Sequence, residues 1–201
     1  MTFYNIKEEQ LEYLKKKDKK LKEVILKYGV IKREIEPDLF KALIYNIIGQ
    51  QISTKAALTV RKKFLEIVGE INPQNVLNYS DEVIQKAGLS LRKVSYIKEI
   101  SKRVVSNELD LNSLKDLKDE EVIKTLTKLP GIGVWTAEML LLFTLGRENV
   151  MSYLDLAIIR GLKKIYNKAE ITKTDFEKIK KSYTPYASIA SLYIWKVASE
   201  D

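Results

Sequence analysis

Apolar residues recur three and four positions apart along most of this 201-residue chain, and residues that interrupt helices are scarce. This spacing places apolar side chains on one face of an α-helix. The chain has only eight glycines and four prolines, so few residues in it interrupt helices. Alternating strand patterns, internal repeats and low-complexity tracts do not stand out. The sequence therefore predicts a compact all-α fold.

Helix boundaries follow from capping and breaking residues. Pro37 is placed in the first turn of one predicted helix, Ser53 can cap the next, and Gly69 stops it. Lysines on the far face of the first helix are typical of a solvated surface. The predicted helices cover about residues 11–28, 38–50, 54–68, 81–87, 91–105, 120–128, 134–145, 156–166, 175–182 and 185–198.

Composition narrows the function. The net charge of +8 favours a polyanionic partner, with nucleic acid ahead of an anionic membrane surface. The absence of cysteine and histidine excludes thiol nucleophiles, Ser-His triads, iron–sulfur clusters and most transition-metal sites. The sequence shows neither an apolar signal segment nor a run long enough to span a bilayer. We therefore expect a cytoplasmic protein, associated with the nucleoid if prokaryotic, without a membrane partner.

The segment Leu129–Gly133, with the sequence LPGIG, lies between two predicted helices. Pro130 cannot continue the first helix, whereas Gly131 and Gly133 permit a positive φ and a close approach of the backbone. The second helix starts immediately, so its free N–H groups point out of the turn. Such a turn can bind a DNA phosphate, although a turn of this composition is often merely a turn.

Residues 128–137, with the sequence KLPGIGVWTA, resemble the helix–hairpin–helix of base-excision DNA glycosylases, and Asp155 resembles the catalytic aspartate of that superfamily. Residues 47–53, 88–93, 183–188 and 193–195 are similar to the alkylation-repair branch, the 3-methyladenine DNA glycosylase II type. The resemblance covers about residues 38–197. It implies a single monomeric unit over residues 1–201, with its helix–hairpin–helix at 119–145 and a cleft between two helical lobes.

The resemblance assigns catalysis to Asp155. A glycosylase extrudes a nucleotide and cleaves its N-glycosidic bond through an oxocarbenium-like sugar, which a carboxylate stabilises while it orients the attacking water. Asp155 precedes an apolar run, so it is placed at a helix N-terminus, where the dipole favours the ionised form. The alternative is that Asp155 simply caps that helix.

Trp135 occupies the position at which bifunctional members of the superfamily carry a Schiff-base lysine, so the resemblance implies a hydrolase without strand cleavage. The resemblance also implies that Trp135 and Tyr186 line the base pocket, where aromatic faces attract a cationic alkylated purine. The alternative for both residues is ordinary core packing.

The resemblance implies that Gln51 fills the gap left by the flipped base in duplex DNA, the alternative being a surface residue at a helix end. The predicted phosphate contacts are Gly131, Gly133, Arg92, Lys93 and Lys128. No catalytic cofactor is expected. The resemblance implies a structural Na⁺ or K⁺ on the main-chain carbonyls of Thr127, Leu129 and Ile132.

Three residues depart from the family pattern. Ala187 stands where many members have arginine, and Met139 and Leu156 stand where some have tyrosine. These departures leave the choice among 3-methyladenine, 7-methylguanine and hypoxanthine open. The competing hypotheses are a non-catalytic helix–hairpin–helix DNA-binding module, a glycosylase for another lesion such as 8-oxoguanine, and an unrelated basic helical bundle.

Overall fold

The computed structural model describes residues 2–200, which are predominantly α-helical, so the predicted fold class is confirmed. A short 3₁₀ turn covers Ser113–Asp116. Two-residue strands β1 (Thr2–Phe3) and β2 (Glu34–Ile35) pair antiparallel, with Thr2 opposite Ile35. The helices are α1 (Glu8–Lys17), α2 (Lys19–Tyr28), α3 (Leu39–Gly49), α4 (Thr54–Val68), α5 (Pro73–Leu77), α6 (Asp81–Gln85), α7 (Leu91–Val105), α8 (Asp119–Leu126), α9 (Val134–Phe143), α10 (Leu156–Tyr166), α11 (Lys173–Tyr183) and α12 (Ala187–Ala198).

The single helix predicted over residues 11–28 is wrong, because Asp18 divides it into α1 and α2. The Asp18 backbone is extended, and its Oδ1 accepts hydrogen bonds from the backbone N–H groups of Lys20 and Leu21 at 2.8 and 3.0 Å. Its Oδ2 accepts from the hydroxyls of Tyr166 and Tyr183. The carboxylate thus caps α2 and joins it to the ends of α10 and α11.

Two compact units make up the chain. The first contains residues 2–35 and 141–200. Within it, α10 crosses α12 so closely that a Cβ on Gly161 would lie 2.3 Å from the carbonyl oxygen of Ile194. A side chain larger than hydrogen at position 161 would force the two helices apart, which explains glycine in the middle of a helix.

The second unit contains residues 36–140 and carries most of the predicted DNA-binding residues. Its core is apolar, with Ile47, Phe64, Val94, Ile97 and Leu126 fully buried. Pro37 precedes the N-cap Asp38 rather than entering the first turn of α3 as predicted. None of the helices in the described part of the chain combines the length and apolar character needed to cross a bilayer.

Candidate functional site

The predicted hairpin is a tight turn between α8 and α9. Leu129 and Ile132 are buried, and the Ile132 N–H donates to the Leu129 carbonyl at 3.2 Å. The two apolar side chains therefore anchor the turn in the core of the second unit. Gly133 is exposed, and its carbonyl accepts from Ala137 N–H in the first turn of α9 at 3.0 Å. The N-terminus of α9 thus starts directly at the turn, as the sequence predicts.

The two glycines of the turn have different structural roles. Gly131 has φ = +79°, and a Cβ at this position would lie 2.5 Å from Cδ2 of Tyr96. Gly133 is outside the left-handed region, and a Cβ there would have no atom within 4 Å. The fold therefore requires glycine at 131, whereas at 133 the absence of a side chain leaves the start of α9 open to a ligand.

Gln51 lies in the loop between α3 and α4, where its exposed backbone adopts φ = +58°. The ammonium group of Lys93, on α7, donates to the carbonyls of Ile48 and Gln50 at 2.9 and 2.6 Å. The Gln50 side-chain amide in turn donates to the Gly131 carbonyl at 2.7 Å. Burial lowers the pKa of Lys93. The loop that carries Gln51 is thus tied to both α7 and the hairpin.

These elements surround a cavity of about 690 Å³ within the second unit. Five predicted site residues line it: Gln51, Arg92, Lys93, Gly131 and Trp135. The structure therefore brings together residues from three separate sequence motifs. Trp135 is 42% exposed, so it is not a core residue. Lys128 is exposed at the end of α8 and does not line the cavity.

Positive charge dominates the cavity, because no carboxylate among residues 2–200 lines it. Arg61 lies over the ring of Tyr45 at 4.6 Å and donates to the Tyr45 carbonyl at 3.1 Å. The Nε of Arg92 donates to the hydroxyl of Tyr96. Arg61 and Tyr96 were not among the site residues predicted from the sequence, because no local motif marks either residue. A lining of three cations suits phosphate groups.

Asp155 belongs to the first unit, where it is 6% exposed. It caps α10, because its Oδ1 accepts from the N–H groups of Ala157 and Ile158 at 2.8 and 3.0 Å. Leu156, the next residue, is 82% exposed. The carboxylate therefore has a fixed orientation at a positive helix end while apolar side chains around it face solvent. Capping and catalysis are compatible in this geometry.

Tyr186 also lies in the first unit, half-buried at the start of α12. Its ring meets that of Tyr13 edge-on, with centroids 5.3 Å apart. Ala187 is fully buried, so the arginine common in the family at this position would displace its neighbours. Met139 is buried too, whereas Leu156 is free to meet a ligand.

The predicted cation ligands lie at the end of α8 and in the turn. Thr127 caps α8, where the helix dipole is negative. Carbonyl oxygens are suitable ligands for a hard cation, and the Leu129 carbonyl also accepts a hydrogen bond from the Ile132 N–H. Among the described residues, no cluster of three or more acidic side chains could hold a metal ion.

Comparison with known proteins identifies the family of this chain. Residues 44–185 match the HhH-GPD superfamily of base excision DNA repair proteins. The chain belongs to this superfamily. A member from Schizosaccharomyces pombe, DNA-3-methyladenine glycosylase 1, is 32% identical over 164 residues, which cover 79% of this chain and 72% of that protein.

Two solved HhH-GPD-like structures share the fold. The crystal structure of DNA-3-methyladenine glycosidase from Bacillus halodurans has a TM-score of 0.88 and 32% identity, covering 99% of this chain and 93% of that one. The S. pombe 3-methyladenine DNA glycosylase in complex with abasic DNA has a TM-score of 0.82 and 29% identity, covering 94% and 95%.

Proposed function

We propose that this HhH-GPD protein is a monofunctional DNA glycosylase of the 3-methyladenine type, which hydrolyses the N-glycosidic bond of alkylated purines in duplex DNA. The relatives that carry this activity in their names support the proposal. The observation that carries it is the buried carboxylate of Asp155, which accepts two amide hydrogen bonds and which the sequence resemblance assigns as the family aspartate.

The chemistry requires one group from the protein. As the bond between C1′ and the purine nitrogen breaks, its electron pair leaves with the base and the sugar becomes cationic. The Asp155 carboxylate stabilises that charge and accepts a proton from the water that attacks C1′. An N-alkylated purine is already cationic, so it departs as a neutral molecule. The products are the free base and an abasic site.

Trp135 determines the reaction subclass. An indole cannot form a Schiff base with C1′, so we expect no strand cleavage by this route. Its exposed ring can instead bind the cationic purine through its π-face, a contact worth about 1–2 kcal/mol. Repair of neutral oxidised bases such as 8-oxoguanine is the less favoured alternative, because this aromatic preference would not help them.

Duplex DNA containing a damaged base is the proposed partner. The relative whose structure holds abasic DNA supports this partner. The N-terminus of α9, reached past Gly133, offers N–H groups to a phosphate, and Arg92 and Lys128 add salt-dependent contacts. Gln51 would fill the space of the flipped nucleotide. We expect a monomer acting in the compartment that holds the DNA.

The hairpin carbonyls of Thr127, Leu129 and Ile132 would hold a Na⁺ or K⁺ ion. A bound cation would place positive charge beside a phosphate at the turn, and its role would be structural. No step of base release passes through it.

Replacing Asp155 with asparagine tests the proposal. Asparagine also caps helices well, so Asp155→Asn should fold normally while single-turnover base release falls by about 10²-fold or more. Asp38→Asn is the matched control, because Asp38 caps α3 by accepting a 2.9 Å hydrogen bond from the Lys41 N–H. Duplexes with one defined lesion serve as substrates, and free base is scored separately from strand cleavage.

Each result has a defined meaning. Full activity in Asp155→Asn would refute the catalytic role. Strand cleavage without added base or heat would refute the monofunctional subclass. Binding of DNA without release of any base by the wild type would favour the alternative of a non-catalytic helix–hairpin–helix module, which the cation-lined cavity would serve equally well.

A further inference from the structure

The backbone of Gln51 is held in a conformation that its side chain disfavours. At φ = +58° the backbone lies in the left-handed region, which costs free energy for a residue other than glycine. Such a conformation persists only where neighbouring groups hold it. Gln51 is exposed, so burial of its own side chain does not supply the restraint. The backbone just before it, at residues 48–50, is held by a side chain from α7.

Lys93 contacts that backbone directly. Its ammonium group donates to the carbonyls of Ile48 and Gln50, one on each side of the end of α3. The last carbonyls of a helix lack intrahelical hydrogen-bond donors, and the helix dipole is negative at that end. An ammonium group there supplies the missing donors and a favourable positive charge. The two acceptors are separated by a single residue, so one donor links the last turn of α3 to the residue just before Gln51.

The base of the Lys93 side chain is itself well anchored. Ser90 caps α7 by accepting from the Lys93 N–H at 3.4 Å, and the adjacent Val94 is fully buried. Lys93 is half-buried, in contrast to the exposed Arg92 beside it. The hydrogen bond from Gln50 to Gly131 gives the loop a second attachment, to the hairpin.

We propose that Lys93 is a positioning residue, which holds the Gln51 loop in the shape needed to enter the gap left by a flipped base, and that it acts through two backbone carbonyls rather than through a DNA phosphate. This proposal replaces the phosphate contact predicted for Lys93 from the sequence. It rests on the proposed function, because it assumes that Gln51 enters the duplex.

The two roles of Lys93 differ in their response to salt. Log affinity falls as log salt concentration rises, and loss of one phosphate contact makes this negative slope shallower by about one. Loss of a loop restraint leaves that slope unchanged. Insertion of Gln51 is followed separately with a duplex that carries a tetrahydrofuran abasic analogue opposite the fluorescent base 2-aminopurine, because the emission of 2-aminopurine reports its stacking.

The test compares Lys93→Met, which removes the ammonium group and keeps the length, with Lys128→Met, an exposed predicted phosphate contact. Lys93→Met should lose the fluorescence change on binding, keep the wild-type salt slope, and release base at least tenfold more slowly in single turnover. Lys93→Arg, which retains charge and donors, should recover most of both signals. Lys128→Met should show the reverse pattern, a lower slope with normal fluorescence.

A double-mutant cycle keeps the proposal falsifiable even if Lys93→Met loses stability. If Lys93 acts through Gln51, then Lys93→Met should cost little further activity in a Gln51→Ala background. Additive effects, or a lower salt slope with normal fluorescence, would overturn the proposal. Because the abasic duplex needs no chemistry, a wild type that inserts Gln51 but releases no base would refute the proposed function and leave Lys93 testable.

Discussion

Replacing Gly131 with alanine tests the structural account of the hairpin most sharply. Alanine at φ = +79° costs about 1–2 kcal/mol of backbone strain. The added Cβ would also lie 2.5 and 2.9 Å from two carbons of the Tyr96 ring, and overpacking of this kind costs about 1–3 kcal/mol. We therefore expect Gly131→Ala to lose about 3 kcal/mol of unfolding free energy, which corresponds to a Tm lower by about 6–12 °C in a protein of this size.

Gly133→Ala is the matched control, two residues away in the same turn. Its Cβ would have no neighbour within 4 Å and no left-handed backbone to strain. Its stability should therefore stay within about 0.5 kcal/mol of wild type. The new methyl group would nevertheless stand at the open start of α9, where a phosphate is proposed to bind, so its affinity for duplex DNA should fall. One glycine thus serves the fold and the other the ligand.

Urea denaturation and salt titrations of DNA binding check both expectations. Compared with Tyr96→Ala alone, the variant Gly131→Ala/Tyr96→Ala lacks the clashing ring carbons and should recover the steric part of the loss but not the backbone strain. Wild-type stability in Gly131→Ala would refute the argument from φ and the Tyr96 contact. Wild-type DNA affinity in Gly133→Ala would show that phosphate does not approach this turn.

Two further predictions concern the first unit. Gly161→Ala should lose about 3 kcal/mol or more in urea denaturation, because its Cβ would meet the backbone oxygen of Ile194 at 2.3 Å, and a backbone atom cannot rotate away as a side chain can. An unchanged midpoint would show that α10 and α12 do not cross this closely. Burial raises the pKa of Tyr166 and Tyr183, and their hydrogen bonds to Asp18 raise it further. Above pH about 10 the two tyrosines ionise in the unfolded chain but stay protonated in the native state. Their contribution to the free energy of unfolding is therefore fully present below pH about 10 and falls as the pH rises above it. Tyr166→Phe should lower stability at neutral pH and make the alkaline fall shallower by up to about 1.4 kcal/mol per pH unit, and an equally steep fall would contradict this assignment.

Local rules predicted much of the fold. The bounds of α4, α7 and α10 agree with those predicted from the sequence, because Ser53, Ser90 and Asp155 each accept a backbone hydrogen bond in the first turn of their helix. Capping depends on residues within three positions, so sequence alone reveals it. The short α5 and the 3₁₀ turn were missed, since a five-residue helix shows little periodicity.

Distant partners explain the main error. Residues 11–28 have a continuous helical pattern, and an aspartate within such a run, although able to cap a helix, does not by itself indicate a break. The break is stabilised by Tyr166 and Tyr183, which are 148 and 165 positions away. A sequence pattern cannot show that a carboxylate within a predicted helix accepts hydrogen bonds from two distant tyrosine hydroxyls in the folded protein.

The same limit applies to the candidate site. Motif positions predicted a base-pocket role for Trp135 and DNA contacts for Gln51 and Lys93, and the structure places all three in the lining of one cavity. The contacts of Lys93 were not predictable, because a lysine in a basic DNA-binding chain is expected to bind a phosphate. The two carbonyls that Lys93 binds lie 43 and 45 positions away, on another helix.

The charge of the cavity separates DNA affinity from lesion selectivity. A cationic purine is repelled by the guanidinium groups of Arg61 and Arg92, whereas a phosphate is attracted by them. This cavity therefore suits the DNA backbone, and its binding energy is available to every duplex, damaged or not. Selection of charged lesions must then come from groups that favour a cation, which in the proposed mechanism are the Asp155 carboxylate and the aromatic face of Trp135. Trp135 lines this cavity, so its attraction for a cationic purine is opposed by the two guanidinium groups. High salt should consequently weaken binding of all duplexes while leaving the preference among lesions almost unchanged.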